Sequence, residues 1–126
     1  MKQPVKTDTS PSAIGPYSQA VRAGDTLYIS GQIPLNPASM TIISDDICEQ
    51  INQVLDNILA ILETAGITFD HVVKFTVYLT DLEHFSHVND QMEKRLTEPY
   101  PARAAIEVAG LPRGAQVEID AIAHLS

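Results

Sequence analysis

The stretch PARAAIEV, residues 101–108, and its partner VEIDAIA, residues 117–123, decide the fold. Both alternate small or apolar residues with polar ones, and this alternation is typical of β-strands. Residues 109–115 between them contain two glycines and one proline, which predicts a loop. The two strands are therefore expected to pair as a hairpin or to lie close together in one sheet.

Two charged residues in these strands form a candidate site. Arg103 opens the first strand and Glu118 lies early in the second, so neighbouring strands would let both side chains face one cavity. A guanidinium binds a carboxylate through two parallel hydrogen bonds, and a carboxylate can orient or deprotonate a water molecule. The pair could hold a small acid and direct water at it. The alternative is a surface ion pair, which is more common and contributes little.

The composition indicates a single domain, residues 1–126, with an aliphatic core. Apolar residues make up 44% of the chain, there is no tryptophan, and one domain is the usual organisation at this length. The net charge is −8 with only eight Lys and Arg residues. This charge argues against nucleic-acid binding, in which phosphate contacts supply most of the affinity.

The sequence predicts a cytoplasmic protein without membrane association. The amino terminus carries no apolar run of the kind found in signal peptides, and no stretch approaches the roughly 20 apolar residues of a membrane helix. The single cysteine, Cys48, cannot form an internal disulfide. A reducing compartment is the simplest match to this cysteine content.

The amino-terminal part of the chain is predicted to lead into a strand. Residues 1–13 are polar and are expected to form a loose or lightly docked leader. Gly15-Pro16 then sets a turn that brings Tyr17 to the start of a strand. The leader is therefore expected to add little to the core.

A hairpin is predicted next. Residues 18–22 and 26–30 read as strands around the two-residue turn Gly24-Asp25. Gly31 follows and indicates a bulge or a close backbone approach, which is useful beside a ligand, although an ordinary bulge is commoner. A further short strand is possible over residues 41–43.

Residues 44–65 form the clearest predicted element, a helix with apolar residues at helical spacing. Ser44 is the expected N-cap and Gly66 the expected stop. A strand follows over residues 71–79, with Val73, Phe75, Val77 and Leu79 predicted to share one face. Asp81 is then expected to cap a second helix.

The predicted order is β-β-(β)-α-β-α-β-β, which indicates an α+β fold with one sheet and two helices packed on one face. The other face of the sheet needs cover from elsewhere, and oligomerisation is the natural solution. No Gly-rich phosphate loop is present. His84 and His87 could share a helix face, but no further motif supports a metal site, and exposed histidines are the better interpretation.

Four separate segments together resemble one known family: GPYSQA at residues 15–20, SGQIP at 30–34, PAR at 101–103 and VEIDAIA at 117–123. The resemblance is to the Rid (YjgF) family, specifically its RidA-like imine deaminases, and it spans nearly the whole chain. It implies a chorismate-mutase-like fold with a mixed sheet. It also implies a homotrimer with a central barrel and three sites in the clefts between subunits.

The implied activity is that of a 2-iminobutanoate/2-iminopropanoate deaminase, which hydrolyses reactive enamines and imines such as 2-aminoacrylate to 2-oxo acids and ammonia without a cofactor. By the resemblance, Arg103 clamps the substrate carboxylate, Glu118 holds the attacking water, and Tyr17 closes the site from an adjacent subunit. The implied substrate-binding residues are Ser30, Gly31, Asn89 and, through its backbone N–H, Ala105. Many members of the family carry Cys at the last of these positions.

Two other functions stay open at this point. One is a non-catalytic protein that senses a 2-oxo acid or a related small carboxylate through Arg103. The other is an RNA-cleaving or translation-inhibiting protein, a role also attached to relatives, which the acidic composition opposes.

Overall fold

The computed structural model describes residues 1–126 and contains a six-stranded mixed sheet with two helices. In chain order the elements are β1 (Gln3–Val5), β2 (Ala20–Ala23), β3 (Thr26–Gln32), α1 (Ile47–Thr64), β4 (Val72–Leu79), α2 (Phe85–Arg95), β5 (Ala102–Glu107) and β6 (Val117–His124). The strands lie in the order β1-β2-β3-β6-β4-β5, and only β4 and β5 run parallel. Helix α1 packs on β3 and β6 and contacts α2. The predicted α+β architecture is confirmed.

Helix α1 supplies much of the core because its apolar residues recur every three or four positions. Its fully buried apolar side chains are Ile51, Val54, Leu55, Ile58, Ile61 and Leu62. Asp46, and not Ser44, is the N-cap, since the Asp46 carboxylate accepts a hydrogen bond from the Glu49 N–H. Gly66 follows the helix with φ of +82°, as its predicted role requires. Neither helix is long and apolar enough to cross a membrane.

The predicted hairpin is confirmed as β2 and β3, joined by a tight turn in which Gly24 has φ of +60°. The strand considered for residues 41–43 is reduced to a single bridge between Leu35 and Ile42. Residues 41–43 therefore add no further strand to the sheet.

Strand β4 differs from the prediction at Val73. The register against β6 shifts between Val72 and Lys74, so Val72 is buried while Val73 is 49% exposed. Beyond this bulge the alternation is regular, and Phe75, Val77 and Leu79 all lie in the core. A bulge places one extra residue on its strand, which a simple alternating pattern does not reveal.

The strands that carry Arg103 and Glu118 do not pair as a hairpin, because β4 lies between β5 and β6. Helix α2 connects β4 to β5, and a helical crossover returns the chain parallel to its starting strand. The register aligns Arg103 with Phe75 on the face that the helices cover. It aligns Glu118 with Tyr78 on the opposite face, hereafter the open face.

No element of the same chain covers the open face. Tyr28 and Ile106 both lie there, each 48% exposed. Large apolar side chains left on one sheet face mark a surface suited to packing against another molecule.

Residues 1–13, expected to form a loose or lightly docked leader, are docked at the edge of the sheet and largely exposed. Strand β1 pairs with β2 at the sheet edge. The buried Gln19 side chain accepts a hydrogen bond from the Thr7 N–H at 2.7 Å. It also donates to the carbonyl oxygens of Thr7, Ser10 and Pro11 at 2.8–3.2 Å. One side-chain amide therefore provides hydrogen-bond partners for four backbone groups of residues 7–11.

Replacing Gln19 with Ala is expected to release residues 6–12 while the rest of the sheet stays folded. The substitution removes every hydrogen bond that the buried amide makes, so local opening should become easier by about 1–3 kcal/mol. Native-state hydrogen exchange at the Thr7 amide measures this opening. Gln3→Ala, at an exposed position of β1, is the matched control. Unchanged protection of Thr7 in Gln19→Ala would contradict the docking role.

Candidate active site

The guanidinium of Arg103 is held in place although the residue is exposed. Its Nη1 donates to Asn89 Oδ1 at 2.6 Å and lies 3.8 Å from the Met92 sulfur. Its central carbon lies 4.7 Å from the centroid of the Phe85 ring, a cation–π arrangement. Both of its hydrogen-bonding contacts use Nη1, so the edge formed by Nε and Nη2 is available to a carboxylate.

Helix α2 can present these partners because they lie on one of its faces. Phe85, Asn89 and Met92 are spaced four and three residues apart, which places them one above another. Asn89 was predicted to bind substrate, whereas no prediction placed Phe85 or Met92 in the site. Their spacing of four and three residues was the signal in the sequence from which a shared contact with Arg103 could have been predicted.

Arg103 and Asn89 line a cleft of about 470 Å³, hereafter the arginine cleft. Its other lining residues are Phe75, Met92, Glu93, Leu96, Tyr100 and Pro101. The cleft combines apolar walls with a few polar groups, which is the usual composition of a small-molecule site. It can hold a small acid by its carboxylate and leave the remainder of the molecule against apolar atoms.

Glu118 is half-buried on the open face and forms no ion pair. Burial raises the pKa of the Glu118 carboxyl, and the neighbouring charge of Asp120 raises it further. The carboxylate lies against the backbone of β3 at Gly31. A β-carbon there would overlap Glu118 Oε2 and lie 2.9 Å from Cδ, so only glycine permits this approach.

The bulge predicted around Gly31 is present as a register shift of β3 against β6, between Ile29 and Gln32. The close backbone approach predicted as a second possibility is present as well, in the contact with Glu118. The bulge therefore shapes the surroundings of the carboxylate, a common use of bulges in proteins.

Tyr17, Gly31 and Glu118 line a second cavity of about 260 Å³, hereafter the glutamate cavity. Arg113 also lines it and donates from Nη1 to the Met40 carbonyl oxygen at 2.8 Å. The Tyr17 side chain is 51% exposed at its mouth. The cavity thus offers a weakly acidic carboxyl group, a phenol and a cation within a small volume.

The site residues fall into two groups within one chain. Arg103 and Asn89 belong to the arginine cleft, whereas Tyr17, Gly31 and Glu118 belong to the glutamate cavity. The expectation that Arg103 and Glu118 face one cavity is not met inside a single chain. Their strands flank β4, and the two side chains point to opposite faces of the sheet.

Two further predicted residues line neither of these cavities. The Ser30 hydroxyl donates to the Ser18 carbonyl oxygen at 2.6 Å, which ties β3 to the segment that carries Tyr17. Ala105 lies two residues beyond Arg103 on the same face of the edge strand β5, half-exposed. In the isolated chain Ser30 therefore supports the site indirectly, and Ala105 borders it.

No three His, Cys, Asp or Glu side chains are arranged to hold a metal ion. The ring centroids of His84 and His87 lie 5.7 Å apart. His87 Nδ1 lies 3.6 Å from the half-buried Cys48 sulfur, so this histidine packs against α1.

Glu118→Gln is expected to raise the thermal unfolding midpoint near neutral pH and to leave it unchanged in acid. Because the folded-state pKa of Glu118 is raised, the stability linked to this carboxyl is complete below the unfolded pKa of about 4.3 and is lost as pH rises through the folded-state value. Glutamine stays neutral and avoids this loss. Thermal unfolding from about pH 4 to about pH 8 measures the difference. Glu63→Gln, exposed on α1, is the control, and a stabilisation independent of pH would refute the explanation.

The Endoribonuclease L-PSP family profile matches residues 7–125. The 2-iminobutanoate/2-iminopropanoate deaminase of Bos taurus is 49% identical over 119 residues, covering 94% of this chain and 87% of the bovine one. Among solved structures, RidA from an Antarctic Psychrobacter has a TM-score of 0.93 and 48% identity, covering 97% of this chain and 98% of that one. A putative endoribonuclease from Thermotoga maritima has a TM-score of 0.95 and 44% identity, with 98% of each chain covered. The chain therefore belongs to the Rid (YjgF) family, as its sequence pattern predicted.

Proposed function

We propose that this protein is a RidA-like 2-iminobutanoate/2-iminopropanoate deaminase, which converts small imines and enamines to 2-oxo acids and ammonia. The observation that carries the proposal is the presentation of Arg103, fixed by Phe85 and Asn89 with an unpaired edge beside a small cleft. Relatives named as deaminases, such as the bovine protein at 49% identity, support it.

In this proposal the carboxylate of the imino acid accepts two parallel hydrogen bonds from Nε and Nη2 of Arg103. Asn89 keeps Nη1 occupied, so the fork cannot rotate freely when the substrate arrives. The backbone N–H of Ala105, two residues further along β5, adds a third donor. The clamp places the imine carbon at a defined distance from the guanidinium, and positioning of this kind accounts for much of the acceleration in reactions with water.

Glu118 orients the attacking water and accepts its proton. The water oxygen bonds to the imine carbon, the π electrons of the C=N bond move to nitrogen, and the proton passes to Glu118. Glu118 returns the proton to nitrogen, and the C–N bond then breaks. Ammonia leaves, the former water oxygen becomes the carbonyl of the 2-oxo acid, and the hydroxyl proton goes to solvent. A protonated imine is already electrophilic, so this chemistry requires no cofactor.

The two halves of the site are proposed to meet between subunits of a homotrimer whose sheets face a central barrel. Within one chain, Arg103 and Glu118 line different cavities on opposite sheet faces. A second copy could place its Tyr17 and Glu118 over the arginine cleft of the first. The exposed edge strand β5 and the apolar side chains of the open face are surfaces that such an assembly would cover.

A protein that binds 2-oxo acids without turnover is the second candidate, because the arginine cleft does not include Glu118. Glu118→Ala would abolish turnover and retain carboxylate binding if the pocket serves both functions. Some relatives are named as endoribonucleases. The net charge of −8 opposes that role here, since contacts with phosphates depend on cations.

Arg103→Ala is expected to lower imine hydrolysis by about a hundredfold or more, because it removes two charge-assisted hydrogen bonds to the substrate. Arg103→Lys keeps the charge but loses the fork, and it should cost at least about tenfold. The measurement generates 2-aminoacrylate from serine with a dehydratase and follows the appearance of pyruvate.

Arg22→Ala is the matched control, because Arg22 is exposed in the β2–β3 hairpin, where it pairs with Asp25. Hydrolysis by Arg103→Ala at the parent rate would exclude the proposed clamp. No acceleration by a folded parent protein would favour the binding function instead.

Mixed oligomers test whether the site is shared between subunits. Arg103→Ala and Glu118→Gln preparations should each be inactive alone. After they are unfolded and refolded together at equal amounts, about a quarter of the sites should combine an intact Arg103 with an intact Glu118 and regain activity. Recovery requires that the two residues come from different subunits. A mixture as inactive as its components would show that each chain builds its site alone.

A further inference from the structure

Three polar side chains lie together on the open face of β4 and β6, and the proposed reaction uses only one of them. Glu118 and Asp120 are two residues apart on β6, so both point to the open face about 7 Å apart along the strand. Tyr78 on β4 is aligned with Glu118. Its hydroxyl reaches diagonally to Asp120 and donates to Oδ2 at 2.9 Å.

The hydrogen bond between Tyr78 and Asp120 fixes the second carboxylate. Asp120 raises the pKa of the Tyr78 hydroxyl, first through this hydrogen bond, so Tyr78 remains a donor at neutral pH. Both residues are only partly exposed. Asp120 is thereby prevented from swinging into solvent, which an aspartate on an open sheet face could otherwise do.

We propose that Asp120 is a positioning residue for Glu118, held by Tyr78 as a fixed negative charge beside the carboxylate that receives the proton of the attacking water. The inference deepens the proposed function and rests on it. When Glu118 accepts the proton, the repulsion between the two carboxylates disappears, so Asp120 makes Glu118 a stronger base. Asp120 itself touches neither the substrate nor the water.

The other groups around Glu118 do not supply this effect. Strand β3 faces it with Ser30 and Gly31, neither of which carries a charge. In the glutamate cavity, the Tyr17 phenol lies at the exposed mouth, and the Arg113 guanidinium donates to the Met40 carbonyl oxygen without an ion pair to Glu118.

Lys74 on β4 also belongs to the open face, aligned with Ile122 of β6, and it is exposed. It forms no ion pair with Asp120 or Glu118. Within one chain, therefore, no cation pairs with Asp120, and its negative charge acts on Glu118 across the shared face of β6.

The test titrates Glu118 directly in the full-length protein. Carboxyl ¹³C chemical shifts are followed against pH, and the Glu118 signal is assigned by its loss in Glu118→Gln. Asp120→Asn keeps the shape and an acceptor for the Tyr78 hydroxyl while it removes the charge. We expect the Glu118 midpoint to fall by about half a pH unit. Asp8→Asn, which removes an exposed carboxylate in the leader, should leave the midpoint unchanged.

The pH dependence of imine hydrolysis gives the second readout. In Asp120→Asn the acid limb of the rate profile should move to lower pH with the Glu118 midpoint, so that about threefold more Glu118 is ionised on this limb and the rate there rises by less than about threefold. At higher pH, where Glu118 is fully ionised, the plateau rate of hydrolysis should be lower than in the parent protein, because Glu118 has become a weaker base. A loss of structure alone would lower the rate at every pH.

Tyr78→Phe keeps the ring and removes the hydroxyl that holds Asp120. In this background Asp120→Asn should shift the Glu118 midpoint less than it does in the parent protein, because Asp120 is no longer fixed. An equal shift in both backgrounds would remove Tyr78 from the inference. A Glu118 midpoint that Asp120→Asn does not move would overturn the inference whatever the activity. A shifted midpoint in a protein that hydrolyses no imine would instead overturn the proposed function.

Discussion

The parallel pairing of β5 with β4 is the constraint on which the candidate site depends. Successive residues of a strand point to opposite faces of the sheet, so the register decides the face of every side chain. The register of β5 against β4 places Arg103 beside Phe75 on the face that carries the helices. The register of β6 against β4 places Glu118 beside Tyr78 on the open face. A chain folded in this way cannot bring the two together, however well each is positioned. The shared site between subunits is therefore proposed as a consequence of the topology as much as of the family resemblance.

Each half of the site meets a different physical requirement. Arg103 is a long exposed side chain with much rotamer freedom to lose, and its contacts with Phe85 and Asn89 restrict that freedom before any ligand binds. For Glu118 the requirement is to tolerate partial burial, because a carboxylate loses hydration when it is buried. The missing side chain at Gly31 lets it lie against the backbone of β3. The proposed hydrolysis needs both a preorganised cation and a carboxyl group that accepts protons readily.

The periodicity of the sequence predicted the two helices, the hairpin and the mixed architecture, because each depends on local pattern alone. It did not reveal the partner of β5, since an alternating strand looks the same beside either neighbour. Nor did it reveal the hydrogen bonds between Gln19 and residues 7–11, because the partners of Gln19 are backbone groups, which any sequence supplies. The resemblance named most of the site residues and implied that Tyr17 comes from an adjacent subunit, but it did not indicate that Glu118 lies in a different cavity from Arg103 within one chain. Phe85 was not predicted as a site residue, because an aromatic residue at helical spacing usually packs in the hydrophobic core.

The pair of carboxylates on β6 shows how stability and reactivity are connected at this site. Glu118 and Asp120 share one face, and the charge of Asp120 makes the ionised form of Glu118 less favourable. A raised pKa lowers the stability of the fold at neutral pH, and it makes the carboxyl a stronger base by the same free energy. The two effects cannot be separated, since both measure the difference between the protonated and ionised forms in the folded state. Rotation of Asp120 into solvent would reduce the repulsion between the two carboxylates. Tyr78 prevents this rotation, because its hydroxyl holds the Asp120 carboxylate on the sheet. A neutral residue at position 120 would therefore weaken the base, whereas a neutral residue at position 118 would stabilise the sheet and remove the base.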